Sequence, residues 1–209
     1  MRFTPQKFNR MINNRAQSFL FSKGYACPCL NPNSGQPLYN CQHCSGKGRV
    51  WDGATKGLAA VVGRDVIKKQ ADFGQWDAGD MMLSIHSDSP LYDLGLYDRL
   101  VAVDKSEPFS MNFIAGVNET MRFVPVSIDR VFWQDINLDF VYGDIPTIKS
   151  DGTLQWGVIK PPVKTTYSLT GRRRPEYFCY NENPMDRPHH QGAKLPRVVS
   201  VRRFDLFGN

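Results

Sequence analysis

The segment Gly79-Asp80-Met81-Met82-Leu83-Ser84-Ile85-His86-Ser87-Asp88-Ser89-Pro90, continuing through Leu91 to Asp98 into Arg99-Leu100-Val101-Ala102-Val103, decides how this chain folds. Two apolar runs of five or six residues are too short for helices. Turn chemistry brackets them at Ala78-Gly79-Asp80 and Asp88-Ser89-Pro90. Met81 to His86 and Arg99 to Val103 therefore read as strands, with Ser87 to Arg99 as a loop returning into the second. Tyr92 and Tyr97 serve there as amphipathic anchors that pack under the loop or fill a partner's pocket. The same unit recurs at Gly57 to Val62, Met121 to Val126 and Val131 to Trp133, with turns at Lys105 to Pro108, Gly143 to Pro146 and Ser150-Asp151-Gly152. The tail adds strands at Thr165 to Leu169, Tyr177 to Tyr180 and Arg197 to Phe204, around a long proline- and histidine-bearing loop at 181–196. Many short strands with regular turns predict a mainly β fold, a barrel or sandwich, over residues 51–209.

Upstream the pattern changes. Thr4 as N-cap, Pro5 at the first helical position and Gly24 beyond the end frame a basic helix within residues 1–24, running to Ser22. Phe8, Met11, Ile12, Phe19 and Leu20 supply its apolar stripe. The opposite face presents Lys7, Arg10, Asn14 and Arg15, suited to phosphates, water or a partner subunit.

Residues 25–50 form a third segment. Cys27-Pro28-Cys29 is followed, eleven residues on, by Cys41-Gln42-His43-Cys44-Ser45-Gly46-Lys47-Gly48. Two closely spaced cysteine pairs separated by a loop are what a tetrahedral thiolate site needs, and the glycines permit the tight turn after the second pair. In a reducing compartment such clustering points to a metal rather than disulfides. The expectation is one structural Zn2+ held by Cys27, Cys29, Cys41 and Cys44, with His43 outside the ligand set and no open position for substrate. The run Cys41 to Gly48 resembles one half-site of the zinc-binding region of the DnaJ chaperone family. Cys27-Pro28-Cys29 departs from that pattern, which argues against a DnaJ-like activity. Cys179 stands apart, with His189 and His190 ten and eleven positions on, and reads as a buried structural thiol.

The net charge of +6 is segregated: Met1 to Trp51 carries seven Lys or Arg and no acid, residues 52–159 nine bases and sixteen acids, and residues 160–209 ten bases and four acids. Basic ends and an acidic centre predict contact with a polyanion or attraction between neighbouring copies. No run of roughly 20 apolar residues suggests a membrane span, and no apolar stretch near Met1 suggests a signal peptide. No membrane partner is expected.

Catalytic motifs are not found. Ser45-Gly46-Lys47-Gly48 lacks the frame of a phosphate-binding loop, no G-x-S-x-G elbow occurs, and the cysteines lack the H-x-E partner of a zinc deaminase. Asn181, Asn183, His189 and His190 lie far from the cysteines, against a zinc-stabilised nuclease. Asp77, Asp80, Asp88, Asp93 and Asp98 read as turn residues and surface charge. The chain is expected not to be an enzyme.

Two stretches carry a resemblance. One is Gly74, Trp76, Gly79 and Asp80, followed by Leu83 to Ile85 and Asp88 to Arg99. The other runs from Tyr167 through Gly171-Arg172-Arg173-Arg174-Pro175 to Tyr177, with Arg187, Gly192, Leu195-Pro196-Arg197 and Arg202 to Leu206. Together they resemble the neck proteins of tailed bacteriophages. The resemblance implies a β-barrel-like subunit assembling into a ring in the neck of the virion, made in the host cytoplasm. Its neighbours would be portal, tail or other neck proteins, with phage DNA passing through the lumen without sequence specificity. On that reading Lys7, Arg10, Arg15, Arg172, Arg173 and Arg174 are the candidate contacts to a subunit or to DNA. A zinc-knuckle nucleic-acid-binding protein and a tail-terminator or baseplate protein are the alternatives.

Overall fold

The computed structural model describes residues 5–62, 79–117, 119, 121, 123–149, 153–182, 189–190 and 192–207. The cap at Thr4, Gly74, Trp76, Asp77, Ala78, the turn at Ser150-Asp151-Gly152, and Asn183 with Arg187 lie outside the described residues. The chain is mainly β, with an N-terminal helix α1 at Pro5–Asn13. It divides into two compact units, Met1–Asp104 with Glu176–Asn209, and Lys105–Pro175. The single β-domain expected over 51–209 is therefore replaced by two units, the first of which takes in the N-terminal segment.

In the first unit six strands close a barrel: β1 (Ala16–Ala26), β2 (Arg49–Val61), β3 (Met81–Ile85), β4 (Arg99–Ala102), β11 (Glu176–Asn181) and β14 (Arg197–Arg203), in the order β1-β2-β3-β14-β11-β4. The second unit is the chain between β4 and β11, which are themselves paired neighbours, with Val101 opposite Glu176. Phe19, Leu83, Ile85, Leu100, Cys179, Val199 and Val201 fill the barrel interior, and Leu91 and Leu94 from the loop after β3 join the same core. A small barrel of this kind is packed with side chains and is not a pore.

The helix expected to run from Thr4 to Ser22 ends at Asn13, and Ala16 to Ser22 belongs to β1. Phe19 explains the difference. It lies fully buried in the barrel core, and its strand hydrogen-bonds to β2 on one side and β4 on the other. The helical stripe was an accident of spacing, with six positions between Ile12 and Phe19 occupied only by Asn, Arg, Ala, Gln and Ser. The helix is anchored instead by buried Ile12 and by Asn9, whose Nδ2 donates to Ser87 Oγ at 2.9 Å and Asp88 Oδ2 at 2.8 Å.

Buried charge ties the loops to the barrel. Asp98 accepts from the amides of Gly24 (2.8 Å) and Gly95 (2.7 Å) and from Lys23 Nζ (2.9 Å). Asp80, whose side chain has no solvent contact, takes a two-pronged bond from Arg202 at 2.8 and 2.9 Å, the planar geometry that suits guanidinium to carboxylate. Tyr92 is half-buried against the barrel core and donates to the Leu195 carbonyl at 2.9 Å.

The second unit is a four-stranded antiparallel sheet ordered β5-β10-β6-β7, from β5 (Glu107–Ile114), β6 (Pro125–Gln134), β7 (Phe140–Tyr142) and β10 (Thr166–Arg173). Phe109, Phe113, Val131, Trp133, Tyr167 and Leu169 form its core, joined by Ile148 and Leu154 from the small hairpin of β8 (Thr147–Ile148) and β9 (Leu154–Gln155). β5 was not expected, because Lys105 to Pro108 read as a turn. The two short runs expected at 121–126 and 131–133 are replaced by one strand that begins at Pro125. In the first unit, His189–His190 (β12) and Ala193–Lys194 (β13) form a two-stranded hairpin within the loop expected at 181–196. Among the described residues no helix is long and apolar enough to cross a membrane.

Candidate metal centre

Cys27 begins where the β1–β2 ladder ends. Ala26 is the last strand partner of Arg49, and Cys27 N donates to the Gly48 carbonyl at 2.9 Å, so residues 27–48 are the closed tip of a barrel hairpin. The expected link between a separate helix and a β-domain is thus replaced by a loop between two adjacent strands of one barrel.

Within that loop the four sulfurs of Cys27, Cys29, Cys41 and Cys44 all lie within 4.8 Å of one another. Cys27 and Cys41 are 3.8 Å apart and Cys29 and Cys44 3.5 Å, and none forms a disulfide. A tetrahedral ion with bonds of ~2.3 Å to sulfur spaces its ligands by roughly 3.8 Å, so the four positions fit a metal ion. His43 is exposed on the turn and lies outside the set.

The backbone is arranged for thiolates. Cys27 accepts from the amide of Cys29, Cys29 from that of Leu38, and Cys44 from that of Gly48 at 3.3 Å. Cys41 accepts from the amides of Cys44 and His43, which bring its thiol down to about 6, whereas burial pushes Cys29 up to about 12. Four thiols this close cannot all ionise unaided, and a cation resolves the conflict while the amides orient the ligands. The turn after Cys44 depends on left-handed backbone at Gly46 (φ 79°) and Gly48 (φ 70°). A Cβ at Gly46 would also meet the Tyr39 carbonyl oxygen at 3.0 Å.

The knuckle also seats the chain's last described residues. Lys47 Nζ donates to the Phe207 carbonyl at 3.1 Å and lies over the rings of Phe204 and Phe207. Phe207 in turn packs edge-on against Trp51, Tyr97 and Phe178. A cleft of about 440 Å³ remains between the knuckle and this seat, lined by Leu30, Pro37, Tyr97, Phe178 and Phe207 among others. The sequence reading missed the aromatic seat, although the five rings and Lys47 were all in view. They come from four separate segments, and only the pairing of β1 with β2 and of β11 with β14 brings them together.

The basic candidates are spread apart. Lys7 and Arg10 are exposed on α1, and neither forms an ion pair with a described residue. Arg15 is exposed at the turn into β1. Arg172 donates to the hydroxyl and carbonyl oxygens of Ser106 at 2.8 and 3.0 Å, and Arg173 pairs with Glu107 at 2.8 Å. Successive strand residues point to opposite faces, so these two do not share one positive site, and Arg174 follows the strand with its amide on the Val124 carbonyl. Cys179 is fully buried, and the four cysteines are the one group among the described residues whose spacing could hold a metal ion.

Comparison with protein-family models and with curated proteins returns no match for the chain.

Proposed function

We propose that this chain is a structural subunit of the neck of a tailed bacteriophage, assembling into a ring between portal and tail, and that its four cysteines hold structural Zn2+. The observation that carries the assembly reading is the apolar surface left in solvent. Ile136 is 97% exposed, Leu138 73%, Phe140 60% and Tyr142 58%, all on one hairpin, and Tyr39 and Val158 stand out at 95% and 94%. Single exposed apolar residues are ordinary, but clusters of this kind mark surfaces that a partner covers.

Segregated charge supports the same reading, since basic ends and an acidic centre favour ordered pairing of copies. Because the barrel interior is filled, any passage for DNA runs between subunits and not through one. The zinc centre has a purely architectural role here: four thiolates leave no position for substrate, and the loop it closes presents Leu38 and Tyr39 outward.

One observation favours a second reading, a nucleic-acid-binding module: Lys7 and Arg10 lie on an exposed helix face and form no ion pair with a described residue. Such a module loses duplex affinity steeply with added salt. Native mass spectrometry of the zinc-loaded full chain separates the two. Discrete closed oligomers carrying one zinc per chain support the neck reading, whereas a monomer that binds duplex DNA in a strongly salt-dependent way overturns it.

A further inference from the structure

We infer that the β6–β7 hairpin of one copy docks on helix α1 of the next, a contact between unlike surfaces that rests on the ring reading above. The hairpin joins β6 to β7 through Asp135 to Asp139. Its tip is held rigidly: Asp135 Oδ1 accepts from the amides of Asn137 (2.8 Å) and Asp139 (2.9 Å), and the Asp135 amide donates to the Asp139 carbonyl at 3.0 Å. Leu138 occupies left-handed backbone at φ 67°. The turn therefore holds Ile136 and Leu138 in fixed positions in solvent, and a preorganised apolar tip loses little entropy on docking.

Charge selects the partner surface. From Gln134 to Asp144 the hairpin carries Asp135, Asp139 and Asp144 and no Lys or Arg. Helix α1 carries Lys7 and Arg10 and no acid. The same helix exposes Met11 (53%) and Phe8 (45%), with Lys7 and Met11 four apart and Phe8 and Met11 three apart, so base and apolar residues share one face. Asn9 and Ile12 on the other face hold the helix to the barrel unit.

Another exposed apolar site in the base-only N-terminal segment, Leu38 and Tyr39, fits less well. The bases that next follow it in the chain are already engaged, Lys47 by the Phe207 carbonyl and Arg49 over the Tyr97 ring. A contact between two different patches repeats from copy to copy and closes into a ring when the rotation allows, which a self-complementary patch does not.

Sedimentation velocity of the zinc-loaded full chain tests the pairing with three variants: Lys7→Glu/Arg10→Glu, Ile136→Lys/Asp139→Lys, and the combination of all four. The changed side chains are exposed, and circular dichroism checks that each variant folds. The expected result is self-association weakened at least tenfold in each two-site variant and regained in part in the four-site chain, where the two lysines introduced on the hairpin face the two glutamates introduced on the helix. A parent that associates while both two-site variants associate equally well overturns the pairing and leaves the ring reading standing. A parent that stays monomeric overturns both. Loss of duplex-DNA binding in Lys7→Glu/Arg10→Glu with unchanged self-association assigns the helix to a polyanion and also overturns the pairing.

Discussion

Cys179 and the four knuckle cysteines differ in what their sulfurs meet. Cys179 is fully buried in the barrel core, and burial pushes its thiol up to about 12, so at neutral pH it is a protonated, unreactive packing group. The knuckle sulfurs accept backbone amides and lie together near the surface. A thiol-reactive dye on zinc-loaded protein is therefore expected to label none of the five cysteines quickly, four after a strong chelator, and the fifth only in denaturant. Fast labelling of Cys179 in the folded chain would contradict its placement. Asp98 is the second residue-level test. Its carboxylate serves two amides and Lys23 while almost wholly buried, so Asp98→Ala leaves the Gly24 and Gly95 amides without their acceptor and Lys23 with only the Asp93 carbonyl, and costs about 3 kcal/mol in urea unfolding. At this scale much was legible: spacing and residue type identified the cysteine set, the isolated thiol and the outward His43. Asp98 was read only as a turn residue and surface charge, because nothing in its neighbourhood announces that Gly24 lies beside it in the fold.

The elements show where sequence reasoning succeeded and where tertiary packing took over. Strands β3, β4 and β14 were found almost to the residue, since each is a short apolar run between strong turn signals. The apolar residues at 8, 11, 12, 19 and 20 suit helical spacing, yet Ala16–Ala26 is strand β1. What decides the matter is pairing with β2 and β4, distant in sequence, which no local pattern reveals. Two substitutions separate the accounts. Phe19→Ala removes a core side chain and is expected to cost about 3–5 kcal/mol, whereas Met11→Ala on the exposed helix face costs under about 1 kcal/mol. Equal effects by chemical denaturation would restore the long-helix reading. β5 and β7 were missed for another reason: β5 starts inside a turn signal, and β7 is only three residues long. The knuckle was recognised as a unit, yet its position at the tip of a barrel hairpin could not be read until β1 was known to be a strand.

At the scale of the whole molecule, the four-cysteine cluster sits at the tip of one hairpin of the barrel, apart from the residues that fill the barrel core. Metal removal is expected to raise hydrogen exchange in residues 27–48 and at the Phe204 to Phe207 seat held by Lys47, while β3, β4, β11 and β14 stay protected. Loss of protection throughout the barrel would show that the hairpin tip supports the entire fold. Charge segregation was legible from composition alone, and the exposed apolar hairpin became visible only once β6 and β7 were in place. Both support the proposal that neighbouring copies complete this chain. Electron microscopy of the zinc-loaded chain, alone and with a tailed-phage portal ring, tests that claim most directly. Closed rings with an open centre, alone or stacked coaxially on the portal, are the expected result. Monomers in both samples, or open filaments that ignore the portal, would contradict it.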